Sequence, residues 1–248
     1  AALMFSSQIS SVIIVDQDKV LGIVTERDIL HAMRQHCDAS RCITTLMTSP
    51  VHTVSEMMDF REAYRSAALR GIRHLVVTDP QGKALGVVTE TDFRRYLGLD
   101  FFRQLNNVDA LMERDFPRLP VDATLDSALA AMEATRQSCV VVVDGEQALG
   151  IITEGDVVRL FLNTEGGILL GSAMSQPIAT VAIDTPLSEA VQKMFDHGFR
   201  HLAVVDRSNR LVGLLTEHSL MRTLELDLLD DALSDRITLG ASNAASEK

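Results

Sequence analysis

The run LGIITEGD, residues 149–156, carries an apolar stretch straight into Thr153, Glu154, Gly155 and Asp156, as a buried strand does when it ends where polar groups are wanted. Nearly the same run recurs as LGIVTERD at 21–28, LGVVTETD at 85–92 and VGLLTEHS at 212–219. Its glycine falls at Gly22, Gly86, Gly150 and Gly213, in steps of 64, 64 and 63 residues. So regular a period means tandem copies of one supersecondary unit.

A second landmark confirms the period. Met47, Met112 and Met174 each stand 27 positions before His74, Cys139 and His201, which open the runs HLVVTD, CVVVVD and HLAVVD. The first copy has SVIIVD from Ser11, so its counterpart methionine and opening strand would fall before residue 1. The chain is therefore expected to be a piece of a longer protein, and the polar ending ASNAASEK fits that expectation. Within the second copy, PVHTV reads as a short strand. MDFREAYRSAALRG places Phe60, Ala63, Tyr64 and Ala67 at helical intervals and stops at Gly71, a C-terminal cap. HLVVTD and ALGVVTE flank the turn PQGK as a hairpin, and TDFRRYL resumes a helical pattern. The unit is β-α-β-β-α. Copies three and four repeat the helical spacing with Leu125, Ala128, Leu129 and Met132 and with Leu187, Ala190, Val191 and Met194, and Met4 falls on the same register in the first. All of these are expected in the core.

Composition narrows the function classes. With 46% hydrophobic residues, the 248-residue chain can bury full cores, but no apolar run approaches the 18 or so residues that would read as a membrane span. A net charge of −11 disfavours a nucleic-acid polymer, whose phosphates need a basic face. A small anionic ligand stays compatible, because a local pocket can be positive. Cys37, Cys42 and Cys139 are odd in number and lack CxxC spacing, so neither a disulfide framework nor a zinc site is expected, and a cytoplasmic location is. No Gly-x-Ser-x-Gly, P-loop or HExxH motif is present, so no catalytic residue is assigned and an enzyme is not expected. His197 and His201 are four apart, but Gly198 interrupts any shared helix, so no metal site is expected either.

A repeat of about 60 residues is uncomfortable alone. The expectation is two pairs, over 1–100 (copies at about 1–34 and 43–97) and over 101–224 (copies at about 108–162 and 170–224), joined by the helical RRYLGLDFFRQLNNVDALM. Residues 225–248 would form a C-terminal helix and a disordered tail. The fold class is α/β of the α+β kind.

The four copies resemble cystathionine-β-synthase (CBS) domains, and the pairs resemble Bateman modules, on the order of elements, the VVD…G-hydrophobic-hydrophobic-T-x-x-D succession and the fourfold repeat. The likeness covers about residues 1–224. It implies a regulatory module for adenosine-containing ligands, with AMP, ADP or ATP, with or without Mg, as regulatory ligand and no cofactor required. The alternatives are a dimerisation or linker scaffold with vestigial clefts, or the cytoplasmic regulatory domain of a transporter or metabolic enzyme.

Two readings of Thr-x-x-Asp stay open. Thr25, Thr89, Thr153 and Thr216 each end a strand and open a helix, where unpaired N–H groups and the helix dipole favour an anion. Asp28, Asp92 or Asp156 could accept from vicinal ribose hydroxyls, the role the resemblance implies. The same pattern is also an ordinary capping box. Arg73–His74 and Arg200–His201 occupy the entry to the central strand in copies two and four, where Arg suits phosphate and the resemblance places the ligand's phosphates; surface ion pairing is the alternative. Ser10–Ser11 and Ser138–Cys139 hold that position in the other copies.

By the resemblance, each cleft joins the Thr-x-x-Asp of one copy to the first strand and Arg-His position of its partner. Thr25 and Asp28 would meet His52, Thr53, Arg73 and His74; Thr153 and Asp156 would meet Ala179, Thr180, Arg200 and His201. The clefts of Thr89 with Asp92 and of Thr216 would be weaker, the latter because Ser219 replaces the aspartate. At most two strong sites are expected, with Asp156 the stronger candidate. Leu226, Leu229, Leu233 and Ile237 form an amphipathic pattern suited either to coupling with an output domain or to folding back on the chain. A bacterial signalling enzyme is the expected parent, and a disc of two modules or a homodimer the expected assembly.

Overall fold

In the computed structural model of the chain, described over residues 1–7, 9–35, 42–103, 107–161 and 167–221, each recurring glycine run is the second strand of an antiparallel hairpin. The hairpins are β1 (Ser11–Asp16) with β2 (Lys19–Thr25), β4 (His74–Thr78) with β5 (Ala84–Thr89), β7 (Cys139–Asp144) with β8 (Gln147–Thr153), and β10 (His201–Val205) with β11 (Leu211–Thr216). In every hairpin the register slips beside the glycine, at Ile14/Val15, Val77/Thr78, Val142/Val143 and Val204/Val205, so the repeat carries its β-bulge with it. Short opening strands β3 (Thr53–Ser55), β6 (Arg118–Pro120) and β9 (Thr180–Ala182) pair in parallel with β4, β7 and β10. Among the described residues the first copy's sheet is the hairpin alone.

Between opening strand and hairpin lie α3 (Phe60–Ala68), α5 (Leu125–Thr135) and α8 (Leu187–His197); the first copy enters its hairpin from α1 (Ala2–Ser7). The expected helical core is found: Met4, Ala63, Tyr64 and Ala67 are buried, as are Leu125, Ala128, Leu129 and Met132 and Leu187, Ala190, Val191 and Met194. Phe60 is only partly buried. After α3, Ile72 N–H donates to Ala67 O and Gly71 N–H to Ala68 O, with Gly71 at φ +61°, the left-handed cap anticipated for it. After the hairpins come α2 (Glu26–Arg34), α4 (Glu90–Arg103) and α6 (Glu154–Phe161); α7 (Leu170–Ala173) opens the fourth copy, and residues 217–221 are helical.

The two landmarks of the repeat meet in space. A Cβ on Gly150 would lie 2.5 Å from the Met174 sulfur, and Gly22 and Gly213 are overlaid in the same way by Met47 and Met112. The methionine of one copy therefore sits on the glycine of its neighbour, linking copy one to two and copy three to four. The residue after each methionine then bridges to the strand it covers: Thr48 to Ile23, Glu113 to Leu214, Ser175 to Ile151.

Helices join the pairs. Leu30 of α2 belongs to the core of Leu125, Leu129 and Val157, while Tyr64 and Phe93 of copy two share a core with Leu187 and Met194 of copy four. Tyr64 O–H donates to Met221 O across that second seam. Copy one thus faces copy three, and copy two faces copy four. The C-terminal pattern at Leu226, Leu229, Leu233 and Ile237 lies outside the described residues.

Candidate functional site

This double pairing points all four strand-to-helix junctions at one place. Thr25, Thr89, Thr153 and Thr216 line a single cavity of about 350 Å³, together with Arg73, His74, Arg200 and His201. Separate unequal clefts were expected from the sequence; packing of the pairs through their helices merges them.

The cavity sorts the candidate residues. Of the first set, Thr25, Asp28, Arg73 and His74 are on its wall, whereas His52 is held by Ser66 at 2.8 Å and Thr53 is exposed on β3. Of the second, Thr153, Arg200 and His201 are on the wall, whereas Asp156, Ala179 and Thr180 are not. Ala179 packs against the apolar core, and Thr180 O accepts from Lys193 Nζ at 2.8 Å. Asp92 also lies off the wall, exposed, with Thr89 Oγ1 donating to it at 2.7 Å. Opening strands end short of the cavity because they pair with the middle of the central strand, Thr53 with Val76 and Thr180 with Ala203, two residues beyond its entry.

The helix starts are capped from within. Thr25 N–H donates to Asp28 Oδ2 at 2.7 Å, Glu26 N–H to Ser10 O at 3.0 Å and Asp28 N–H to Thr25 Oγ1 at 3.4 Å. Copy three repeats this through Thr153, Asp156 and Ser138 O, and copy four builds it with Ser219. The capping reading of Thr-x-x-Asp is realised in the geometry, and the N–H groups expected to await an anion are largely used. Asp156 is further engaged, because Arg159 Nη2 donates to its Oδ1 at 2.9 Å. Asp28 has no such second donor among the described residues. Asp28, not Asp156, is the one of the two that lies on the cavity wall.

Cations and neutral imidazoles concentrate at the cavity. His74 is pushed down to about 4 by burial and by Arg73, and His201 down to about 3 by burial and by Arg200. Both are uncharged at neutral pH, with Nε2 in contact with Ser10 at 2.8 Å and with Ser138 at 3.4 Å. Positive charge therefore comes from guanidinium groups.

What the sequence reading passed over is the residue after each threonine. Glu26, Glu90, Glu154 and Glu217 all line the cavity, one per copy. Three of them are held by the facing copy: Glu154 accepts from Arg27 Nε at 2.9 Å, Glu90 contacts His218 Nδ1 at 2.7 Å, and Glu217 accepts from Thr91 Oγ1 at 2.9 Å. Arg94, itself buried, adds an ion pair with Glu217 at 2.7 Å. The signal was the fourfold recurrence of Thr-Glu. Among the described residues no group of three or more His, Cys, Asp or Glu could hold a metal. Cys139 is buried, and burial pushes its thiol up to about 12.

The CBS domain family matches residues 1–35, 43–99, 108–163 and 170–226. The chain belongs to the CBS-domain proteins. Protein MJ1225 of Methanocaldococcus jannaschii is 27% identical over 161 residues, covering 60% of this chain and 57% of that one; its crystal structure superposes with a TM-score of 0.79 at 20% identity, over 90% of each chain. A conserved protein from Pyrococcus horikoshii superposes with a TM-score of 0.61 at 21% identity, over 87% of this chain and 91% of that one. Arabinose 5-phosphate isomerase KpsF of Escherichia coli is 34% identical over 133 residues, half of this chain and 39% of the isomerase. This CBS protein thus spans only part of the length of the curated relatives it matches. No described helix is long and apolar enough to cross a membrane.

Proposed function

We propose that this CBS protein is a regulatory, ligand-sensing module whose shared cavity binds an adenine nucleotide and thereby controls an attached or associated output domain. One observation carries the reading: Arg73 and Arg200, from different pairs, line one cavity of about 350 Å³, a size in the range of small-molecule sites. Guanidinium groups suit phosphate, and neutral His74 and His201 beside Ser10 and Ser138 supply further polar contacts. Asp28 is the carboxylate assigned to the ribose hydroxyls. Adenosine as the base-bearing part follows from the CBS resemblance. The nucleotide is read as a regulator rather than a substrate on the strength of the CBS resemblance.

A ligand touching both pairs has a route to regulation. Arg73 Nη2 stands 3.8 Å from Glu154 Oε2 across the seam between the pairs, so a phosphate drawing Arg73 away changes that contact. Calorimetry with AMP, ADP and ATP, with and without Mg, tests the reading. Arg73→Ala and Arg200→Ala are each expected to weaken binding roughly tenfold to a hundredfold, the loss of about 1.5–3 kcal/mol typical of a hydrogen bond to a charged group. Absence of binding by all three nucleotides to the unmodified chain leaves the scaffold reading in its place.

A further inference from the structure

The four glutamates of the cavity are not alike. Glu154 meets Arg27, Glu90 meets His218, and Glu217 meets Thr91 and Arg94. Arg27, Thr91 and His218 all occupy the second position after the repeated threonine. In copy three that position is Gly155, facing Glu26, and a Cβ there would lie 2.8 Å from Glu26 Oε1. Glu26 therefore has a bare backbone opposite it, and among the described residues no hydrogen bond or ion pair reaches its carboxylate. Burial raises its carboxyl above the ordinary value, with Arg200 the strongest charge opposing that rise, Glu154 and Asp156 adding to it, and Arg73 opposing it more weakly. An unmatched carboxylate thus shares a small cavity with the two arginines assigned to phosphate.

We propose that Glu26 is the charge-selecting residue of the cavity, favouring a nucleoside monophosphate over a metal-free nucleoside triphosphate. This rests on the nucleotide reading above. One phosphate can be neutralised by Arg73 and Arg200. Each further phosphate must be placed near Glu26, a repulsive element of the kind that builds specificity by penalising the wrong ligand. A divalent cation travelling with the triphosphate would cancel part of the penalty.

The test is the ratio of dissociation constants for AMP and ATP, measured by calorimetry in EDTA and again with Mg, on the unmodified protein and on Glu26→Gln. The replacement keeps shape and removes charge. It is expected to strengthen metal-free ATP relative to AMP by roughly tenfold, and Mg to narrow the ratio in the unmodified protein but little in Glu26→Gln. Gly155→Arg, which gives Glu26 the kind of partner Glu154 has in Arg27, is expected to shift the ratio in the same direction. An unchanged ratio in both variants, with AMP bound by the unmodified protein, overturns the charge selection and leaves the nucleotide site standing. Failure of the unmodified protein to bind either nucleotide overturns both.

Discussion

Copies one and two are built from the same unit as copies three and four, yet the seams between their sheets differ. Between copies three and four, Phe116, Cys139, Val141, Ile178, Ala203, Leu211 and Leu214 form a closed apolar cluster. The first four residues of β7 are fully enclosed, whereas none of the residues of β1 is. Among the described residues, β6 and β9 flank the closed seam and β3 alone flanks the other. The methionine-on-glycine contact is reciprocal in the closed seam, Met112 on Gly213 and Met174 on Gly150, but single in the open one. Among the described residues, Gly86 has nothing within 4 Å of where a Cβ would stand. Equivalent sequence is thus unequally buried in the two seams.

Core truncation sharpens this contrast most. Leu214 is fully buried in the closed seam, and its counterpart Val87 is half-buried in the open one. Leu214→Ala is expected to cost about 2–5 kcal/mol and Val87→Ala about 1 kcal/mol or less, because the cost tracks the cavity left behind. Urea denaturation followed by circular dichroism reads both. Equal losses would mean that the seams are equally closed in solution.

The glycines come next. In Gly150→Ala the new Cβ meets the Met174 sulfur at 2.5 Å and, less yieldingly, the Ser175 carbonyl oxygen at 2.9 Å. Overpacking of this kind costs about 1–3 kcal/mol. Gly86→Ala meets nothing, and a strand alanine is expected to be neutral or to stabilise by about 0.5 kcal/mol. Thermal melts of the two variants are expected to move in opposite directions; parallel shifts would break the account of the repeat's glycine.

Acid sensitivity is a subtler measure. The folded chain holds His201 and His74 well below the ordinary histidine value near 6.5, at about 3 and about 4. Unfolded chain therefore binds more protons as pH falls below 6.5, and stability is lost through that window until the folded histidines themselves titrate. Between pH 7 and 5.5 each contributes a loss of about 1 kcal/mol. His201→Gln is expected to flatten the profile more than His74→Gln, since His201 is the more strongly shifted. A profile unchanged by either variant would place the imidazoles in contact with water.

Much of the fold was legible because its signals are local and repeated four times. The hairpins, the helix faces through Leu125 to Met132 and Leu187 to Met194, and the Gly71 cap all follow from periodicity and turn chemistry within one copy. The cavity was legible only in part. Arg73, His74, Arg200 and His201 stood out by composition, but that the four threonines meet depends on α2 packing against copy three and α4 against copy four. No short-range pattern encodes that. Likewise, nothing in the repeat pattern shows that the Arg159 guanidinium lies on Asp156. Gly155, in the middle of the repeat's own signature, reads as a helix-weakening residue until Glu26 is found opposite it.

The smallest effect concerns the cap that closes α5 of copy three. Where copies two and four end their first helix with Gly71 at φ +61° and Gly198 at φ +67°, copy three has Arg136 at φ +57°. A residue with a Cβ pays about 1–2 kcal/mol in this left-handed conformation, partly offset because glycine loses more backbone freedom on folding. Arg136 is exposed, and its carbonyl, which accepts from Arg27 Nη2 at 3.2 Å, belongs to the backbone and survives substitution. Arg136→Gly is therefore expected to stabilise the closed pair by about 0.5–1 kcal/mol, while Gly71→Arg destabilises the open pair by a similar amount. A melt in which Arg136→Gly lowers the midpoint would mean that its side chain contributes more through contacts than the cap costs in strain.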